Sequence, residues 1–68
     1  MERKRYLELC QKYAVGCDVR VKYKDTEYYP CRYELGFDSN GKPIHTAILK
    51  DVNANSVLHT KLEKVKES

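Results

Sequence analysis

At 68 residues the chain makes one domain with a thin core. Burial in domains this small contributes only about 3–5 kcal/mol unless a disulfide, metal or partner helps. Charged residues make up 34% of the chain, and no apolar run approaches the roughly 20 residues that span a bilayer, which excludes a transmembrane helix. The net charge of +3 is unevenly placed: residues 1–24 carry seven Lys/Arg against three acids, and residues 25–51 carry three against five.

The first element is predicted over residues 2–14. Tyr6, Leu7, Leu9, Cys10, Tyr13 and Ala14 fall in one arc at 100° per residue, with Arg5, Glu8 and Lys12 opposite, which is the pattern of an amphipathic helix. Gly16 is placed to end it. A helix of this length is marginal alone, so it must dock on the rest of the chain. Glu2-Arg3-Lys4-Arg5 leads into this charged stretch rather than into the apolar segment of a cleavable signal. A cytoplasmic location is therefore expected, with no membrane association and with Cys10, Cys17 and Cys31 as reduced thiols.

Residues 18–66 read as β-rich. Asp18 to Tyr23 alternates charged and apolar residues as a half-exposed strand does, and Lys24-Asp25-Thr26-Glu27 makes a turn across which Lys24 and Glu27 are expected to pair. Pro30 implies an edge, a bulge or a strand start. Tyr28 and Tyr29 point to opposite faces, so at least one of them is exposed.

Tyr28 to Asp51 then reads as a hairpin turning at Asn40-Gly41, the dipeptide that best fits the two positive φ angles of a type I′ loop. A two-residue loop pairs Phe37 with Ile44, Leu35 with Thr46 and Tyr33 with Ile48, gathering five apolar residues on one face. The rival is a type I turn with a bulged Gly41, which pairs Asp38 with Lys42 and places Ile44 and Ile48 on the face of Glu34 and Arg32. The hydrophobic pattern favours the first register. Asp51 to Ser56 is a further turn. In Val57 to Lys66, Leu58, Thr60 and Leu62 alternate as a strand, while Leu58, Leu62 and Val65 also fit a helix capped by Ser56; a strand is preferred because the hairpin needs a neighbour.

The predicted fold class is α+β: an N-terminal amphipathic helix packed on an antiparallel sheet of four to five strands. This order resembles an SH3-like small barrel with an added helix, an architecture that hosts many unrelated functions.

No catalytic or cofactor-binding motif stands out. Cys17, Cys31, His45 and His59 recur every fourteen residues with the elements of a zinc site. Zinc ligands must converge within about 2.0–2.3 Å of the metal, whereas the preferred register separates Cys31 from His45 by about 16 Å. No metal is expected. His45 with Glu34 is the nearest acid–base pair, and a surface histidine beside a carboxylate is ordinarily a solvated neighbour. An enzyme is not expected.

Two binding classes remain. A protein partner fits a sheet edge and exposed tyrosines. Single-stranded DNA or RNA fits Tyr28 or Tyr29 flanked by Arg20, Lys22 and Arg32, a ring among cations. The protein partner is preferred because Asp25, Glu27 and Glu34 interrupt the basic surface. Finally, Tyr28-Tyr29-Pro30-x-x-Tyr33-Glu34-Leu35, Asn40-Gly41, His45-Thr46-Ala47-Ile48-Leu49-x-Asp51 and Asn55-Ser56-Val57 resemble a family of short proteins of unassigned activity. That family is carried on conjugative-transposon-like elements of Gram-positive bacteria. The resemblance implies a cytoplasmic accessory role beside DNA-transfer machinery and supplies no functional residues.

Overall fold

A computed structural model describes residues 1–68. Helix α1 (Arg3–Ala14) precedes strands β1 (Val21–Tyr23), β2 (Thr26–Phe37), β3 (Pro43–Asp51) and β4 (Val57–Lys61), a 3₁₀ turn (Leu62–Lys64) and strand β5 (Lys66–Glu67). All strand pairs are antiparallel, in the order β4-β3-β2-β1-β5. The predicted α+β class holds, and Val57–Lys61 is a strand.

The sheet does not close into a barrel, because β4 and β5 are its two edges. It must nevertheless curl. The chain passes from Lys61 at one edge to Lys66 at the other. Fully extended, that segment reaches about 17 Å, and its 3₁₀ turn shortens it. The edges of a flat five-stranded sheet stand about 19 Å apart. The curl encloses Val21, Ala47, Leu49, Leu62 and Val65, against which α1 places Tyr6 and Leu9. The helix's apolar arc is narrower than its sequence pattern: Leu7 and Ala14 are exposed.

The hairpin register is the rival one. Leu35 faces His45, Gly36 faces Ile44 and Phe37 faces Pro43. Asp38 decides it. Its Oδ1 accepts the N–H groups of Asn40 and Lys42, its N–H donates to the Lys42 carbonyl, and its carbonyl accepts from Gly41. Gly41 alone in this turn has a positive φ, +78°, so the loop is the bulged form and not type I′. The two-residue loop with both φ positive is formed instead by Lys24 and Asp25, at +51° and +62°. Lys22, not Lys24, therefore lies opposite Glu27.

Of the five apolar residues expected to share a buried face, only one is fully buried. Ile48 is fully buried, but Leu35, Phe37 and Ile44 are 47%, 66% and 40% exposed, and Tyr33 is half-buried. Cys31 is the extra residue of a β-bulge between the Pro30–Leu49 and Arg32–Ile48 pairs, which accommodates the proline in a long strand.

A distal ribbon and a tyrosine cluster

Two surfaces carry features the core does not require. The first is the distal half of the β2–β3 hairpin. β1 pairs with β2 only over residues 26–28, and β4 pairs with β3 only over residues 46–50. Beyond these limits β2 and β3 continue as a ribbon of two strands, which stretches the molecule to 37 Å along one axis against 20 and 19 Å across. The three most exposed apolar side chains of the sheet's long strands, Leu35, Phe37 and Ile44, all sit on it. Leu35 and Phe37 share one face of the ribbon and Ile44 projects from the other, and adjacent exposed apolar side chains mark an interaction surface more often than scattered ones do.

Alternation of backbone hydrogen bonds, counted from the Asp38–Lys42 bond, directs the N–H and C=O groups of Glu34 and Gly36 towards β3 and those of Tyr33, Leu35 and Phe37 outwards. The outer edge of β2 thus offers three residues of unpaired backbone. The other edge of the ribbon is blunted by Pro43, which has no N–H to give. Between the ribbon, the start of α1 and the 3₁₀ turn lies an open groove of about 510 Å³, lined by Arg3, Lys42, His45, Lys61 and Leu62 among others. His45 does not meet Glu34, which lies on the opposite side of the ribbon. Its Nδ1 is hydrogen-bonded to the Tyr33 hydroxyl, and the two rings stack.

The second surface surrounds Tyr29. Its ring stacks on Tyr13 of α1, with centroids 5.0 Å apart, and the Arg20 guanidinium lies 5.6 Å from its centroid. Arg20 also reaches Asp18 at 3.4 Å and Glu27 at 3.7 Å. These carboxylates raise the pKa of Arg20, Asp18 most strongly. Lys22 stands on the same side through its pairing with Glu27. Lys50 faces Tyr29 directly across the ladder, a neighbour that sequence reading missed because it depends on register. Tyr28 turns the other way, against Tyr23 and the core. Arg32 lies past the bulge and is exposed. Of the predicted surface, the structure therefore brings together Arg20, Lys22 and Tyr29, leaves Arg32 at its margin and withdraws Tyr28. A small cleft of about 270 Å³ between Tyr29, Lys50 and the turn at residues 51–55 completes this surface.

The thiols are free, with Cys17 exposed and Cys10 and Cys31 half-buried. Burial raises the Cys10 pKa, and nearby Cys31 adds to the effect. No group of three or more His, Cys, Asp or Glu residues is arranged to hold a metal ion. His45 and His59 project from opposite sides of the sheet, since His59 pairs with Ile48 and Ile48 alternates against His45. No helix is long and apolar enough to cross a membrane. Compared with protein-family models, curated proteins and solved structures, the chain matches none of them.

Proposed function

We propose that this protein is a small non-enzymatic interaction module that binds another protein through its distal β2–β3 ribbon. The observation that carries the reading is the coincidence of unpaired backbone at Tyr33, Leu35 and Phe37 with the exposed side chains of Leu35 and Phe37 on the same strand. An added strand gains main-chain hydrogen bonds from such an edge and specificity from the side chains beside it. The likeness to short proteins of conjugative-transposon-like elements supports an accessory role in the cytoplasm.

A displayed library of extended peptides tests it. Binders should select the native protein over Leu35→Pro, which removes an outward N–H without touching the bonds to β3. They should shift the amide resonances of residues 33–37 and tolerate added salt. Binders that leave those amides unmoved would end the proposal.

Single-stranded nucleic acid is the second reading, supported by the gathering of Arg20, Lys22 and Lys50 around Tyr29. Against it, the Tyr29 ring already serves Tyr13 and Arg20. Labelled single-stranded DNA and RNA, titrated at two salt concentrations, separate the two. A nucleic-acid binder loses affinity steeply with salt, and Tyr29→Ala would cost it about 1–3 kcal/mol. Absence of shifts at low salt removes this reading.

A further inference from the structure

We propose that the partner seated on the β2 edge is a second copy of this chain, paired antiparallel about a two-fold axis at Leu35. The inference rests on the reading of the ribbon as the binding element and names its occupant.

Sheet edges are protected from pairing with one another by prolines, bulges, charged side chains or a covering segment. Pro43 guards the other ribbon edge, and Cys31 bulges only below the segment in question. Between Tyr33 and Phe37 the outer edge of β2 has neither proline nor bulge, and its one charged side chain is Glu34.

Self-pairing has few registers, and charge selects among them. Outward-directed residues must face outward-directed residues, so Tyr33, Leu35 and Phe37 pair only with one another. Centring on Glu34 sets that carboxylate against its own copy. Centring on Gly36 sets Glu34 against Asp38. Like charges directly opposite are destabilising.

Centring on Leu35 avoids both conflicts. Leu35 meets Leu35, Tyr33 meets Phe37, and Glu34 meets Gly36, which offers no charge and has open space where a side chain would stand. Arg32 then meets Asp38, an opposite-charge pair. Asp38 spends Oδ1 on the turn, leaving Oδ2 for the guanidinium. The three apolar pairs lie on one side of the joined ribbons, continuous with Pro43 and His45. A two-fold contact must be self-complementary in this way, and this register uses every outward backbone group of the segment.

Sedimentation equilibrium of the full chain from micromolar to millimolar concentration tests the proposal. The mass should rise from 8.0 kDa towards twice that value. Gly36→Glu, which faces Glu34 across the axis in this register, should hold the protein monomeric. Adding Glu34→Lys to that variant should restore the dimer. Without any variant, a mixture of labelled and unlabelled protein should show intermolecular contacts between the Tyr33 and Phe37 rings. A dimer indifferent to Gly36→Glu, or lacking those contacts, overturns the inference. A monomer at millimolar concentration whose Leu35 and Phe37 amides exchange freely overturns it too, while leaving the ribbon available to another protein. A monomer in which those amides are already protected shows the edge covered from within, and both proposals fall.

Discussion

The Tyr6 hydroxyl stands 3.0 Å from the carbonyl oxygen of Arg32 and 3.1 Å from that of Ile48, the two residues that face each other just beyond the β-bulge. A bulge disrupts the ladder locally, and here a fully buried tyrosine reaches from the helix to serve its carbonyls. This contact ties α1 to the point where the distal ribbon leaves the core. Tyr6→Phe keeps the ring and removes the hydroxyl donor to these carbonyls, so it should cost about 0.5–1.5 kcal/mol, the usual worth of an intramolecular hydrogen bond. Urea denaturation checks it, with the half-buried Tyr13→Phe as the control expected to change little.

The same burial predicts the alkaline limit of stability. Burial raises the pKa of both Tyr6 and Cys10 above their ordinary values of 10.0 and 9.0. Below pH 9 both groups keep their protons in the folded and unfolded chain, and they cause no pH dependence. Above it the unfolded chain ionises Cys10 and then Tyr6, while the native state holds both protons. Stability should therefore fall as pH rises past 9 and again past 10. Urea midpoints measured at intervals from pH 7 to 11 should be flat and then decline, and Tyr6→Phe should remove the second part of the decline. Tyr23, whose pKa is lowered chiefly by Thr60 and then by Lys24, should ionise before Tyr6 in an absorbance titration.

Core truncations separate the two ends of the hairpin. Ile48→Ala should cost about 2–5 kcal/mol, as a buried aliphatic ordinarily does. Leu35→Ala, at a position 47% exposed, should stay within about 0.5 kcal/mol of the parent, as exposed substitutions do. Equal losses at the two positions would contradict the register described above.

Asp38 is the register's anchor. Asp38→Ala removes the acceptor of two backbone N–H groups and should cost about 0.5–1.5 kcal/mol per bond. The loss should be confined to the ribbon, with amides of residues 34–46 exchanging faster and those of β1 and α1 unchanged. Uniform acceleration across the chain would show that the turn supports the whole fold instead.

Much of the architecture was legible in the residues. The helix, the strand at Val57–Lys61 and the irregularity near Pro30 follow from periodicity and from proline's missing donor. The hairpin register was not. Asn40-Gly41 suits a type I′ loop, and the apolar residues supported that choice by clustering neatly on one face. In the structure they divide between the two faces, Ile44 and Ile48 on one and Tyr33, Leu35 and Phe37 on the other, because the ribbon's tip extends beyond the core and burial there does not select the register. The counter-signal was Asp38, whose short side chain can close a turn on itself. Likewise, nothing local assigns positive φ to Lys24 and Asp25. The partners of Tyr29 come from α1, β1 and β3, so only the fold shows that its ring is already engaged.

The open edge of β2 is most directly tested by amide hydrogen exchange on the dilute protein, where any self-association is absent. Glu34 and Gly36, bonded to β3, should exchange slowly, while Tyr33, Leu35 and Phe37, which alternate with them, should exchange fast. An alternation of that kind along one strand would establish that its outer side is unpaired. Uniform protection from Tyr33 to Phe37, or protection of the odd positions in place of the even ones, would contradict it.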